Sequence, residues 1–414
     1  MTGNNATLDR FSDHLPAGLT LRRFLVSAYG PTLLASLGYG AVVPMLALQA
    51  IAIGANPGLA AFIAALVGIG QVAGDLPAGI LTDRFGERRT LAASCLVDAV
   101  LLTCVFFVHN VFLFAVLVFV HGMTASVLAL ARQTYLTVVV PIQWRARAMS
   151  SLGGVLRVGY FVGPLLGALI IRAHSMGAVF LLAGVMGVLA AAATLAMPDV
   201  TSTAKTSTRQ TTETVGIWDV LKAHRHTLLS LGWGILAIML VRTARQVYIP
   251  LWCNANGMDA ATTNLIYAAS MAAEVLLFFP GGVIMDRLGR WWVTVPTVVV
   301  MSGCFAWMPW THSVLMVTAV SVLLGVANGI SSGIVSTLGA DVSPDVGRPQ
   351  FLAGWRVFSD VGSSAGPLVI SLVTVIASLP AAGWVLAVLG WAGAAQLARR
   401  IPMAGQLPPS EPRP

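Results

Sequence analysis

The stretch GILTDRFGERRTL at 79–91 has a second copy, GVIMDRLGRWWVT at 282–294, which begins 203 positions further along the chain. Both copies carry an Asp-Arg pair followed by a glycine, although only 10% of the 414 residues are charged. The offset predicts a parallel duplication of one structural unit. Without a gap, the same offset relates Pro77 to Pro280, Pro141 to Pro344, Arg145 to Arg348, Gly159 to Gly362, Gly163 to Gly366 and Pro164 to Pro367.

The composition is typical of a membrane protein. Hydrophobic residues make up 57% of the chain and charged residues 10%, whereas soluble domains carry about 45–50% apolar and about 25% charged residues. Apolar stretches of roughly 20 residues, long enough to cross a bilayer, recur along nearly the whole length. We therefore predict an all-α membrane protein with twelve transmembrane helices in two pseudo-symmetric six-helix bundles. The predicted spans are about 24–53, 58–82, 89–108, 111–140, 148–171, 176–197, 228–253, 260–285, 291–310, 313–340, 352–378 and 380–398.

The basic residues fall mainly on one side of these spans. An even number of spans places both termini on the same side, where eighteen Lys and Arg residues lie, against Arg172 alone on the other side. Positive charge concentrates in cytoplasmic loops, which predicts a multi-pass protein of the cell membrane with both termini in the cytoplasm. The net charge of +8 therefore reflects topology, and we expect no nucleic-acid partner.

A segment rich in Thr and Ser, PDVTSTAKTSTRQTTETVG, separates the sixth and seventh predicted spans. Such composition is typical of a linker. We predict an N-terminal six-helix bundle at 1–197, a cytoplasmic linker at 198–227 and a C-terminal six-helix bundle at 228–414. The stretch IWDVLKAHRH at the end of the linker favours a short amphipathic helix.

Both copies of the repeated stretch follow an even-numbered span and so belong to the cytoplasmic side. We expect Gly79 and Gly282 to allow close helix contact, and Gly86 and Gly289 to allow a sharp turn. Asp83 can face the positive end of a nearby helix, and the following arginine can reach phosphates or carboxylates. An ordinary basic loop that only sets topology is the simpler alternative.

These stretches resemble a known family. GxLxDRxGxRRxxL at 79–91 resembles motif A of the major facilitator superfamily, and 282–294 resembles a degenerate second copy. GYFVGPLLGA at 159–168 is similar to motif C of its antiporters, and GYGAVVPMLAL at 38–48 is similar to the first-span motif of twelve-helix drug:proton antiporters. The resemblance implies gating roles for Gly79, Asp83, Arg84, Gly86, Arg88, Asp286 and Arg287, and a shaping role in the fifth span for Gly159, Gly163, Pro164 and Gly167.

Two positions depart from the family pattern. Glu87 stands where motif A usually has a basic residue, and Val118 occupies the place of the fourth-span arginine of motif B. That arginine is often given a part in proton transfer, so its absence means that the resemblance does not define the proton route in this chain. The resemblance implies no cofactor and a monomer.

Nine charged residues fall inside the predicted spans, where each costs roughly 2.5–3.5 kcal/mol. We expect them to face the interior in partnered groups. Counting residues from the cytoplasmic ends puts Asp75, Asp98, Arg132 and Arg157 at one level, which predicts a neutral network in the first half. Asp360 occupies the equivalent level of the second half, with Arg356 one turn away.

The deepest charges lie on the seventh and eighth spans. Arg242 and Arg245 share a helix face, and Glu274 is at a similar depth, so we predict that they are paired. Ion pairs of this kind can serve packing alone. Alternatively, an acid that changes partners between two conformations can bind and release a proton, which makes Glu274, Asp360, Asp98 and Asp75 candidates for proton coupling.

The chain has no nucleophile elbow, HExxH or P-loop lysine motif, and no metal-ligand spacing among its four cysteines. We therefore expect no enzyme and no metal site. The leading hypothesis is proton-coupled efflux (antiport) of small amphipathic molecules such as drugs, by alternating access. The alternative is a proton-coupled carrier of an organic anion or endogenous metabolite, because the deep charges include two arginines for one glutamate. The cavity candidates are Tyr39, His121, Arg242, Tyr248 and Glu274.

Overall fold

The computed structural model describes residues 21–140, 142–197 and 217–402. Parts of three predictions lie outside these residues: the linker at 198–216, the terminal segments 1–20 and 403–414, and Pro141 of the repeat. Within the described part, the chain forms helices of a length and composition that cross a membrane. Eleven qualify singly, and one bent pair makes up the twelfth.

The first six spans lie between Leu21 and Leu195. Span one consists of two helices, Leu21–Val42 and Met45–Ala52, which meet at an angle of 44°. Pro44 lies at this bend, and proline removes a backbone donor and clashes with the preceding turn of a helix. Spans two to six are Pro57–Phe85, Glu87–Phe107, Val111–Val139, Ile142–Ala173 and Ala178–Leu195.

The second half begins with the short helix Ile217–Ala223, in agreement with the amphipathic pattern of the sequence. Span ten runs over Val314–Val342, in agreement with the prediction. A break at 331–333 divides it into two helices, in a Gly- and Ser-rich stretch where helices commonly kink. Spans seven to twelve are Arg225–Ala255, Ala260–Leu288, Arg290–Trp307 with a 3₁₀ turn at Met308–Trp310, Val314–Ile330 with Ile334–Val342, Arg348–Ile376 and Leu379–Arg400.

The two faces of the molecule end their helices differently. On the face that we call the terminal face, Gly86 and Gly289 join consecutive spans with positive φ angles of 81° and 94°. On the opposite, distal face, side chains cap the helix starts, as where Asn56 accepts a hydrogen bond from the Leu59 amide at 2.8 Å. Asp259 accepts one from the Thr262 amide, and hydrogen bonding to Thr262 holds the pKa of Asp259 below its usual value.

Helix packing follows the same plan in both halves. Span one packs on span five, span two on span four and span three on span six, and the second half repeats these contacts between spans seven and eleven, eight and ten, and nine and twelve. The offset of 203 also holds in detail. A Cβ on Gly122 would meet the backbone of Val67, and a Cβ on Gly325 would meet the backbone of Ser270.

The halves meet along two lines of contact. Spans five and eight form what we call the first seam, and spans two and eleven form the second seam. The two seams exchange under the pseudo-symmetry, because span five corresponds to span eleven and span two to span eight. This arrangement of two pseudo-symmetric six-helix bundles is the one that the duplication predicted. The domain boundaries at 197 and 228 stay a prediction.

Candidate functional site

A central cavity of about 190 Å³ lies between the two halves. Spans one and five line it from the first half, and spans seven, eight and ten line it from the second. The cavity walls mix charged, aromatic and thioether side chains, a composition suited to a small amphipathic molecule. The lining residues are Tyr39, Gly40, Val43, Arg157, Tyr160, Met239, Arg242, Thr243, Arg245, Gln246, Tyr267, Met271, Glu274, Asn328 and Ser332.

Glu274 is the acid of this cavity, and arginines from both halves hold it. Its side chain is only 11% exposed. Oε2 accepts a hydrogen bond from Arg245 of span seven, and Oε1 lies 3.7 Å from Nε of Arg157 on span five. The carboxylate therefore joins the two halves across the first seam.

Arg157 makes further contacts across the same seam. It donates a hydrogen bond to the Ser332 hydroxyl of span ten, and its guanidinium lies 4.0 Å from the centre of the Phe278 ring on span eight. Within span five it donates to the Gly153 carbonyl at 3.0 Å. Arg157 thus bonds mainly to the opposite half, and the predicted network with Asp75 and Asp98 does not form.

Arg242 does not pair with Glu274, contrary to the prediction. It donates to the backbone carbonyl and the hydroxyl of Ser331, at the break in span ten. Carbonyls at the C-terminal end of a helix lack intrahelical partners and carry partial negative charge, so they attract a cation. Arg242 is therefore a cavity arginine that has no carboxylate partner among the described residues.

The second seam has its own charged cluster. Asp75 on span two accepts a hydrogen bond from Ser126 and lies 3.9 Å from Arg356 on span eleven. Arg356 also lies 3.4 Å from Asp360, one turn further along. These side chains surround a small polar cavity of about 140 Å³. The predicted proximity of Asp360 and Arg356 is confirmed, and Asp75 joins them rather than the arginines of its own half.

Two more members of the predicted network have other surroundings. Asp98 on span three lies 2.5 Å from Nδ1 of His121 on span four, and no arginine of the described part forms an ion pair with it. Arg132 forms no ion pair with a described carboxylate. The shared level that we predicted for these residues did not determine their partners.

Of the other residues predicted to line the cavity, one does so and two do not. Tyr39 lines the central cavity. His121 does not, because it lies buried behind Tyr39, with ring centroids 5.8 Å apart. Tyr248 is buried in the second half, where it stacks on Trp252 and donates to the Leu379 carbonyl at 3.2 Å. The prediction of Tyr248 as a cavity residue is therefore wrong.

The repeated turns are exposed on the terminal face. Asp83, Arg84, Asp286 and Arg287 are exposed, and Arg88 donates to the Leu195 carbonyl at the end of span six. The positive φ angles of Gly86 and Gly289 confirm the sharp turns. The close contacts predicted at Gly79 and Gly282 are absent, since a Cβ at either position would meet no atom within 4 Å in the described part.

The glycines of span five make tight contacts. A Cβ on Gly159 would meet Ser36, and one on Gly163 would meet the backbone of span one. Pro164 follows Gly163 within span five. Gly167 instead approaches the Asn264 side chain of span eight, at 2.9 Å from the position of a Cβ. The GxxxG pattern thus serves both packing within the first half and contact across the first seam.

Several cavity residues were not predicted from the sequence. Tyr160 and Tyr267 are aromatic residues within apolar spans, and nothing local separates them from lipid-facing rings. Asn328 and Ser332 belong to ANGISSG at 327–333, a polar interruption of span ten. That interruption was a usable signal, because broken helices in transporters tend to lie beside the binding site.

The fold and its central cavity define a multi-pass membrane transporter built from two equivalent halves. The family model of the Major Facilitator Superfamily matches residues 32–367 and, in a second match, 231–413. The chain therefore belongs to the Major Facilitator Superfamily. The family and the structural neighbours described below are transporters of small molecules, not enzymes.

Curated relatives match part of the chain. The chain is 29% identical over 168 residues to proteins named multidrug resistance protein MdtG from Salmonella arizonae and Salmonella newport. These matches cover 40% of this chain and 42% of the relatives, so less than half of each relative is aligned.

Solved structures match over most of the chain. A D-xylose-proton symporter has a TM-score of 0.71 at 13% identity, covering 92% of this chain and 98% of that one. The nucleoside transporter NupG has a TM-score of 0.72 at 12% identity, covering 90% and 99%. A POT family transporter in complex with 5-aminolevulinic acid has a TM-score of 0.72 at 11% identity, covering 95% and 99%. At these identities the likeness shows the fold alone.

Proposed function

We propose that this protein is a proton-coupled exporter of small amphipathic molecules, working by alternating access in the cell membrane with both termini in the cytoplasm. The observation that carries the proposal is the position of Glu274 between Arg245 of its own half and Arg157 of the other. The partial similarity to proteins named for multidrug resistance supports export. Protons and a small molecule are the partners, and the protein acts as a monomer.

The coupling follows from the chemistry of a carboxylate that changes partners. A carboxylate held by two arginines stays ionised, whereas one that loses its partners in an apolar environment binds a proton. If spans five and eight separate as the halves rock, Glu274 loses Arg157 as a partner, and its carboxylate binds a proton more readily. Proton binding and the direction in which the cavity opens are then linked, which is what an antiporter needs.

The test uses purified protein in proteoliposomes with ethidium as an amphipathic probe. We expect an imposed proton gradient to drive ethidium against the proton flow. Glu274→Gln keeps the shape of the side chain but cannot ionise, so it should lower ethidium accumulation at least about tenfold under a gradient of one pH unit, while ethidium still binds. Ethidium accumulation by Glu274→Gln equal to that of the wild type would place the coupling at another acid.

A second candidate function is the carriage of an organic anion or endogenous metabolite, with protons moving in the same direction. It is favoured by the excess of arginine in the cavity, where Arg157, Arg242 and Arg245 face a single glutamate. Fluorescein in place of ethidium tests it. Movement of fluorescein with the proton flow, and none of ethidium, would favour the carrier over the exporter.

A further inference from the structure

The pair formed by Asp98 and His121 lies outside the central cavity, within the first half. His121 is 2% exposed, and its Nδ1 lies 2.5 Å from Oδ1 of Asp98, whose side chain is 20% exposed. The Tyr39 ring stacks against the imidazole on the side of the cavity. Tyr39 and Tyr160, which lie 5.4 Å apart between ring centroids, both line the cavity. A single aromatic ring therefore separates the pair from the transport pathway.

The second ring nitrogen of His121 is not satisfied. Nε2 is buried, and no described group forms a hydrogen bond with it. Leaving a buried polar group without a partner costs about 1–3 kcal/mol, and histidines that serve packing alone are normally satisfied on both nitrogens. The imidazole is therefore held by one nitrogen, while the other is left available to a proton.

Few other charges surround the pair. Span four also carries Arg132, and span three carries Cys95 one turn before Asp98. Span one contributes the Tyr39 hydroxyl, and span five the Tyr160 hydroxyl. On span two, Asp75 is bonded to Ser126 and directed towards Arg356. Span six, which packs on span three, has no titratable side chain between Ala178 and Leu195.

We propose that Asp98 and His121 together form a second proton-binding site, separate from Glu274. This pair takes up and releases one proton in each transport cycle, and the proton passes between the pair and the central cavity at Tyr39. Histidine is the side chain whose charge ordinarily changes between about pH 5 and 8, and two interacting titratable groups bind their protons as a pair rather than independently. The inference rests on the proposed proton coupling for its role in transport. The binding of a proton at this pair can be tested without transport.

The first experiment is a pH titration of protein labelled with ¹⁵N-histidine in lipid nanodiscs. The His121 ring signals, assigned by their loss in His121→Gln, should change protonation between about pH 5 and 8. The same signals should no longer change in this range in Asp98→Asn. His109→Gln, which removes an exposed ring on the distal face, is the matched control and should leave them unaltered. A His121 ring that keeps one form throughout, or titrates identically in Asp98→Asn, overturns the proposal.

A second measurement guards against a variant that does not fold. If His121→Gln is not stable, the infrared carboxylate band of Asp98, identified as the difference between the wild type and Asp98→Asn, should shift as the imidazole beside it takes up its proton. A carboxylate band that is unchanged at every pH contradicts the proposal.

The transport experiment then separates this site from Glu274. Under a gradient of one pH unit, loss of one proton per cycle lowers the ethidium accumulation ratio about tenfold. We expect this reduction for His121→Gln, with exchange of ethidium down its own gradient preserved. Failure of every variant and the wild type to use the proton gradient would refute the proposed function but leave the titration result intact. An unaltered accumulation ratio in His121→Gln would refute the role of the pair in coupling.

Discussion

Replacing Arg157 with Gln should change the balance between the conformations of the two halves. Three contacts of Arg157 reach the second half: the ion pair with Glu274 at 3.7 Å, the hydrogen bond to Ser332 and the contact with the Phe278 ring at 4.0 Å. A hydrogen bond from a charged group contributes about 1.5–3 kcal/mol, and a cation–π contact about 0.5–2 kcal/mol. Glutamine retains a donor but no charge, so the described arrangement should lose about 2–4 kcal/mol relative to one with the first seam open.

This loss corresponds to a shift of about 30- to 700-fold in the equilibrium between the two arrangements, at 1.4 kcal/mol for each factor of ten. The shift can be measured by electron–electron double resonance with spin labels at His109 and His312, which occupy equivalent loops of the distal face. A Cys104→Ser background removes the one exposed cysteine. We expect a second distance population to appear or to grow in Arg157→Gln.

Arg356→Gln is the matched control, because it removes the same charge at the second seam. The Arg356 side chain is 60% exposed and its ion pairs measure 3.4 and 3.9 Å. Exposed ion pairs contribute about 0–1 kcal/mol, so the equilibrium should shift less than about fivefold. Equal shifts for the two variants, or no shift for Arg157→Gln, would refute the assignment of the first seam as the energetic contact between the halves.

Three further predictions concern the repeated turns and the helix contacts. Asp83→Asn should reduce ethidium transport while melting at the same temperature as wild type, because Asp83 is exposed and forms no ion pair with the described residues; equal transport rates would remove it from the mechanism. Gly86→Ala should cost roughly 1–3 kcal/mol in thermal unfolding, because φ of 81° and ψ of 158° lie in a region that is essentially limited to glycine. Gly79→Ala, whose Cβ meets nothing within 4 Å, should be neutral or stabilising, and equal melting of the two variants would contradict this. Gly122→Ala should destabilise by about 1–3 kcal/mol, since its Cβ would lie 2.9 Å from the Cα of Val67, and a melting temperature at or above that of Gly79→Ala would be inconsistent with this packing.

The spans could be predicted from the sequence because their signal is local. A run of apolar residues long enough to cross a bilayer must form a helix, since only internal hydrogen bonds satisfy its backbone in lipid. The sharp turns at Gly86 and Gly289 are local in the same sense. The bend at Pro44 and the break at 331–333 were missed because hydropathy does not report helix direction, although Pro44 and the Gly-Ser stretch both carried the signal.

The partners of the buried charges could not be predicted in the same way. Counting residues from a helix end gives the depth of a side chain but not the direction in which it points, and that direction depends on how neighbouring helices are rotated. Arg242 and Arg245 show this clearly. They are three residues apart, yet Arg245 reaches Glu274 on span eight and Arg242 reaches Ser331 on span ten. A rotation of about 60° between such positions, at 3.6 residues per turn, is enough to change the partner.

The duplication is conserved in backbone contacts but not in the chemistry of the two seams. Under the offset of 203, Arg157 is equivalent to Asp360 and Glu274 is equivalent to Gln71. The ion pair of the first seam therefore has no counterpart of the same kind in the second seam. At the first seam the paired side chains are 22% and 11% exposed, and at the second 60% and 40%. The charged side chains of the second seam line a polar cavity, and exposed pairs are screened more than buried ones and contribute little, so the second seam can exchange partners at little cost. The energetic difference between conformations must then arise chiefly between spans five and eight, which is where the cavity acid lies.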